Sequence, residues 1–121
     1  MNSIVLVVDD ERGIADTAAM VLEQRGYCAL ATYSAAEAIK MLSTIDVALI
    51  LSDVNMPGID GVELAMVARE ACPRAKVLLM SGIETSETIT RRQGCEGCPF
   101  QVMAKPFDSR QLLDRVEKLL S

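Results

Sequence analysis

The residues of this chain best suited to chemistry are three carboxylates, a hydroxyl and an ammonium. They are Asp9 and Asp10 in VVDDE, Asp53 in LILSDVNMPG, Ser81 in LLMSG and Lys105 in MAKPF. Each stands at or just past the end of an apolar run. If the fold gathers them, two carboxylates ~4 Å apart repel by roughly 4 kcal/mol at an effective dielectric of about 20. A divalent cation relieves that repulsion. Oxygen donors from carboxylates, a backbone carbonyl and water suit Mg²⁺, which keeps waters and binds beside phosphoryl groups. A carboxylate next to the metal can attack phosphorus. Lys105 and the Ser81 hydroxyl could then hold phosphoryl oxygens, with Gly82 leaving room for them. The chain has no histidine, which removes Ser-His-Asp and Cys-His catalysis, His-ligated metals and any role as a phosphohistidine donor.

Such a gathering needs elements that end at one rim. Continuous apolar runs at 4–8, 47–52 and 77–81 read as strands, with shorter ones at 28–32 and 100–104. Helical patterns lie between them. Residues 11–25 carry Ile14, Ala18, Val21 and Leu22 at helical spacing and stop at Gly26. Ser34-Ala-Ala-Glu37 is a capping-box pattern opening a helix to about Leu42. Further helices are expected over 61–71, closed by Pro73, over 86–93, and from Asp108 onward with Leu112, Leu113, Val116, Leu119 and Leu120 facing inward.

Strict alternation implies an α/β fold, a doubly wound (βα)₅ parallel sheet with helices on both faces. The first, third and fourth strands are apolar throughout, as strands covered on both sides should be, while CALAT and FQVMA read as edges. The order 2-1-3-4-5, flavodoxin-like, satisfies this, and ligands in such sheets bind outside the carboxyl ends of the strands.

The bulk numbers agree. A length of 121 residues suits one domain spanning 1–121, and half the residues are hydrophobic with only 3% aromatic, so the core is aliphatic. A net charge of −5 argues against nucleic acid or an anionic membrane as the main partner. The apolar runs are too short to span a membrane, and the N-terminus has neither a basic n-region nor a small-residue cleavage site. No signal peptide is expected, the cytoplasm is the expected compartment, and the four cysteines are expected as free thiols.

Asp-Asp at 9–10, Asp53 within SDVNMPGIDG, Ser81 and Lys105-Pro106-Phe107 together resemble the receiver domain of two-component response regulators, over the whole chain. The resemblance implies a phosphoacceptor at Asp53, exposed at the end of a rigid strand, with Pro57 and Gly58 turning the chain toward the third helix. It implies Mg²⁺ bound directly by Asp10, Asp53 and the backbone carbonyl of Asn55, and by Asp9 through water. Ser81 would be the switch hydroxyl, and Lys105 would pair with Asp53 before phosphorylation and with the phosphoryl group after it. The Lys105-Pro106 bond would be cis. The implied donor is a sensor histidine kinase or phosphotransfer protein, and the implied output face is the fourth helix, fifth strand and last helix, where Arg91, Arg92, Arg110 and Arg115 offer charge. Such a domain is a signalling module rather than an enzyme, catalysing only its own aspartyl phosphorylation and dephosphorylation. Asp60 reads as a helix cap instead, and Glu11 as a residue at the site's edge.

The chain departs from that family in several places. Val102 stands where the family usually has Tyr or Phe, so either Phe100 substitutes, or the loop after Ser81 carries the switch, or Phe100 is simply core. Cys95 and Cys98 form a CxxC in GCEGCPF, read as two surface thiols rather than half a zinc site, with Cys72 able to approach them and Cys28 too far along the sheet. Ile83 is apolar where the family's residue influences attacking water, which implies slow to moderate self-dephosphorylation.

Two alternatives define the contrast. A pseudo-receiver would keep the fold and bind proteins without phosphorylation; the missing aromatic fits it, and the intact acidic and lysine set opposes it. A phosphotransferase or phosphatase acting on small molecules would need a cap domain, not expected within 121 residues, and a DxDx[TV] nucleophile motif, which is absent around Asp53.

Overall fold

The computed structural model describes residues 3–93 and 100–121. The elements run β1 (Ile4–Val8), α1 (Arg12–Gln24), β2 (Cys28–Thr32), α2 (Ala35–Leu42), β3 (Leu49–Asp53), α3 (Gly61–Ala71), β4 (Lys76–Ser81), α4 (Ser86–Gln93), β5 (Gln101–Ala104) and α5 (Ser109–Leu120). All strand pairs are parallel, in the order β2-β1-β3-β4-β5. The expected architecture and edge strands are therefore the observed ones.

Alternation along each strand divides the core. Val5 and Val7 pack with Leu49, Leu51, Leu78 and Met80 under α1 and α5. Leu6 and Val8 pack with Ile50 under α2 and α3, because successive side chains of a strand point to opposite faces. A smaller group joins Val62 and Ala65 of α3, Leu79 of β4 and Ile89 of α4 to Val54 and Phe100. Every residue of central β3 is buried, while β2 and β5 are only partly so.

The helix ends follow local chemistry. Asp60 accepts from Glu63 N at 2.9 Å while Glu63 Oε1 accepts from Asp60 N at 3.3 Å, a complete capping box. Asp108 and Gln111 form a second one at α5. At α2 the box is altered: Ser34 accepts from Glu37 N, but Glu37 Oε2 accepts from Tyr33 N rather than from Ser34. At Gly58 the backbone turns through φ +77°, the left-handed region that glycine enters without a steric penalty. The chain thereby reverses toward α3 where Pro57-Gly58 implied a turn.

Several boundaries shift by one or two residues, three strand starts among them. β3 begins at Leu49 rather than at residue 47, since regular pairing with β1 starts at Val5↔Leu49, although Ala48 N already donates to Ile4 O. β4 starts one residue early, at Lys76, and β5 one residue late, at Gln101.

Candidate functional site

Register sets the height of every residue in the site. Val8 pairs with Ser52, Asp53 with Met80, and Ser81 with Ala104. Asp9, Asp53, Ser81 and Lys105 therefore emerge at one level of the carboxyl edge, from the strands predicted to carry them. Backbone bonds hold that level: Asp9 N donates to Thr32 O at 3.2 Å, Val54 N to Met80 O at 3.0 Å and Lys105 N to Ser81 O at 2.9 Å.

Lys105 Nζ donates to Asp53 Oδ1 at 3.0 Å and to Asp9 Oδ2 at 3.4 Å. Its side chain reaches across the rim, since β5 is two strands away from β3. Asp9 is buried and Asp10 is exposed; Asp53, expected to be exposed, is buried instead, because it is the last residue of the fully buried central strand and lies under Lys105. One carboxylate oxygen from each of the three lies within 4.8 Å of the others. The second oxygen of Asp9 accepts from Glu11 N at 3.0 Å, which places Glu11 at the edge of the site through its main chain. Asn55 is exposed in the loop just past Asp53.

The electrostatics follow from that packing. Burial pushes the Asp53 carboxyl above the ordinary aspartate range; the Lys105 hydrogen bond opposes this, and the charge of Asp9 adds to it. Burial alone would lower the Lys105 ammonium. Its hydrogen bond to Asp53 and the charges of Asp53 and Asp9 outweigh that and hold it above the ordinary lysine value. One ammonium thus serves two buried carboxylates, with a third at their side. The donors are all oxygen and carry excess negative charge, a set that fits a hard divalent cation such as Mg²⁺.

Ser81 is buried, and its Oγ accepts from Ile83 N at 3.1 Å and Glu84 N at 2.9 Å. These bonds use the lone pairs and leave the hydroxyl proton to donate elsewhere. A family model for the response regulator receiver domain matches residues 5–117.

The chain belongs to the response regulator receiver domain family.

Similar receivers occur in longer proteins. The response regulator FleR of Pseudomonas aeruginosa is 35% identical over 120 residues, which cover 98% of this chain and 24% of that protein. The aerobic respiration control protein ArcA of Escherichia coli is 32% identical over 117 residues, covering 97% of this chain and 48% of ArcA. The chain thus spans between about a quarter and a half of the length of these relatives. Among solved structures, the response regulator TrrA of Thermotoga maritima, in complex with Mg²⁺-BeF, has a TM-score of 0.83 at 28% identity, over 98% of this receiver and 99% of that chain.

The distinctive positions of this receiver now have locations. Phe100 is buried against Val54, Leu79 and Ile89, with the Arg69 guanidinium 3.8 Å from its ring centroid, so it is a core residue. Val102 is half-buried beside it. Ile83 is 85% exposed. The Lys105-Pro106 peptide is cis. Cys28 and Cys72 are free thiols at the amino ends of the strands, and Cys72 Sγ lies 3.6 Å from Leu42 O. Cys95, Cys98 and the rest of 94–99 lie outside the described residues, as does the side chain of Arg92. Arg91 pairs with Glu87, and Arg115 donates to Gln101 at 3.5 Å.

Three features escaped the sequence reading. The Lys105–Asp9 contact depends on how far one flexible side chain reaches. Tyr33 donates its hydroxyl to Asp16 at 2.6 Å under the Arg12 guanidinium, 4.1 Å from the ring centroid, clamping the first turns of α1 to the β2–α2 loop. The i, i+4 spacing of Arg12 and Asp16 was the available signal, but their common partner comes from another element. The third is Gly61, whose surroundings are set by how α3 packs.

Proposed function

We propose that this receiver takes a phosphoryl group on Asp53 from the phosphohistidine of a sensor histidine kinase or phosphotransfer protein, in a Mg²⁺-dependent reaction in the cytoplasm. The observation that carries the reading is the shared ammonium: Lys105 Nζ holds Asp53 and Asp9 together, with a carboxylate oxygen of Asp10 within 4.8 Å of theirs. Asp10, Asp53 and the Asn55 carbonyl would hold the metal directly, and Asp9 through water. Bound there, Mg²⁺ supplies charge neutralisation for carboxylates and phosphoryl oxygens alike.

The remaining chemistry belongs to the chain. Asp53 forms an O–P bond as the P–N bond to the donor imidazole breaks, and the imidazole nitrogen keeps the electron pair. Lys105, already charged and within reach, follows the developing negative charge on the phosphoryl oxygens. The Ser81 hydroxyl donates its free proton to one of them. Ile83 has no polar atom to orient an attacking water, so self-dephosphorylation is slow to moderate; loss of the group within seconds at neutral pH would count against that.

The added charge biases the α4–β5–α5 face, which meets a downstream protein or output domain. Neither nucleic acid nor a membrane is needed as a direct partner at a net charge of −5. Among the described residues, no helix is long and apolar enough to cross a membrane.

The test is intact mass after incubation with acetyl phosphate, with and without Mg²⁺, for the natural chain and Asp53→Asn. A Mg²⁺-dependent gain of ~80 Da that Asp53→Asn lacks is expected. No gain, from acetyl phosphate or from a phosphohistidine donor, would favour a protein-binding module that works unphosphorylated.

A further inference from the structure

After Asp53 the chain leaves the sheet, runs through Asn55, Pro57 and Gly58, and re-enters a helix at Gly61. The excursion is closed at its neck by one main-chain bond, Gly61 N to Val54 O at 2.9 Å. Gly61 is buried there. A Cβ built on it would overlap the Asp53 carbonyl oxygen and lie 2.9 Å from both Asp53 C and Val54 Cα. All of these are backbone atoms, so no side chain can swing aside. The backbone at Gly61 is not in the left-handed region, unlike Gly26 and Gly58. Glycine is required here for space, not for conformation. Among the described glycines this is unusual: a Cβ at Gly13, Gly26 or Gly58 would meet nothing within 4 Å, and one at Gly82 would come no nearer than 3.9 Å to Lys105 Cβ.

We infer that Gly61 is a positioning residue for the phosphoacceptor. The missing side chain lets the first turn of α3 seat directly on the main chain of Asp53. That contact, with the Gly61–Val54 bond, sets the height of the Asp53 carboxylate and the orientation of the loop carrying the Asn55 carbonyl. The inference rests on the reading of Asp53 as phosphoacceptor. A methyl group at position 61 must push α3 and the end of β3 apart. A displacement of about 1 Å at a reacting group costs about 100-fold in rate.

The experiment compares the full chain with Gly61→Ala, Gly13→Ala and the double variant. Gly13 lies in α1 with open space around its missing side chain, so alanine there favours the helix and gives a stabilised background. Phosphorylation by acetyl phosphate is followed by intact mass over a Mg²⁺ series and referred to the folded fraction, with trimethylamine N-oxide added where folding is incomplete. Gly61→Ala is expected to lower the saturating rate per folded molecule about 100-fold and to raise the Mg²⁺ needed for half the rate, with a smaller change in KM for acetyl phosphate. Gly13→Ala is expected to match the natural chain.

A Gly61→Ala rate within about 3-fold of the natural chain would overturn the inference, because a purely structural role leaves the rate per folded molecule unchanged. Failure of the double variant to fold in the osmolyte would overturn it too, since the inference has α3 giving way by a small movement. If the natural chain itself gains no phosphoryl group, the phosphoacceptor reading fails instead, and the two failures are distinguishable.

Discussion

The acidic rim and the α4 corner lie a strand apart on the same sheet, and they are held very differently. Around the rim, α1 buries Ala15, Ala18, Ala19 and Leu22, and α3 buries Val62, Leu64, Ala65 and Ala68. β3 between them is buried along its whole length. Among the described residues, α4 buries one apolar side chain, Ile89, against Phe100, Val54 and Leu79. Its start is tied by an exposed pair of threonines, Thr85 and Thr88, each donating its N–H to the other's hydroxyl. A polar link from the rim toward this corner is the Ser81 hydroxyl, which accepts from Ile83 N and Glu84 N. Reacting groups need fixed geometry, and an element that must move needs a low cost of opening. Among the described residues the rim has the dense packing that the first calls for, and α4 is expected to open at the lower cost.

Large-to-small changes in the two regions should separate them most strongly. Leu22→Ala removes a fully buried side chain of α1 and is expected to cost about 2–5 kcal/mol of global stability. Ile89→Ala removes a side chain just as buried, yet less than half that cost is expected if α4 opens locally. Urea midpoints measure the global term, and amide exchange measures the local one. Equal global costs, with no local loss of protection in α4, would show the corner to be as firmly held as the rim.

Lys105→Ala attacks the rim through charge. It strands two buried carboxylates, Asp9 and Asp53, without their ammonium. Breaking a buried pair costs about 3–5 kcal/mol, and the partial exposure of Lys105 brings the expected loss to about 2 kcal/mol in EDTA. Added Mg²⁺ should recover much of it, which the difference in urea midpoint with and without the metal would reveal. The raised Lys105 value means that its contribution is full below the ordinary lysine pKa and fades only as pH rises through the folded value. At alkaline pH the natural chain should therefore converge on the variant.

How much of this was legible in the sequence also differs between the two regions. The alternation of apolar runs with helical periods placed all five strands and five helices, and the composition of CALAT and FQVMA marked the edges. The carboxylates, Ser81 and Lys105 could be located because strand ends in a parallel sheet share one rim, so topology alone brings them together. Side-chain reach was not legible: nothing in the spacing says that Lys105 also touches Asp9, or that Glu37 turns to Tyr33 N instead of Ser34. Gly61 read only as the first residue of a helix, since the Asp53 carbonyl above it comes from packing. At the α4 corner, Phe100 could be read as a stand-in for the missing ring or as core. Burial beneath Arg69 decides for core, a pairing between α3 and the start of β5 that no local pattern announces.

Asp53→Asn should produce an effect of the opposite sign, again at the rim. The Asp53 carboxyl is raised, first by burial, so the native state holds its proton more tightly than the unfolded chain does. The stability associated with this group is full below the ordinary aspartate pKa of about 3.9 and is lost as pH rises through the folded value. Asparagine keeps an oxygen to accept from Lys105 and has no charge to bury. In EDTA, Asp53→Asn should be more stable than the natural chain at pH 7, with the gap closing as pH falls. A natural chain that is the more stable of the two at neutral pH would mean that Lys105 overcompensates the burial of Asp53.

The smallest effect is expected from Arg69→Ala, which returns the argument to the α4 corner. The guanidinium covers the Phe100 ring at 3.8 Å, and such a contact is worth about 0.5–1 kcal/mol at a partly exposed site. The global loss should be of that size. Its distribution is more informative than its size. Phe100 and Ile89 share one buried cluster, while the α1 core is formed by a different set of residues. Amide protection in α4 should therefore fall with Arg69→Ala, while protection in α1 stays unchanged. Arg69→Lys should restore only part of it, since an ammonium lacks the planar face that stacks on a ring. Loss of protection spread evenly over both helices would mean that the Arg69–Phe100 contact supports the whole sheet rather than the seat of α4.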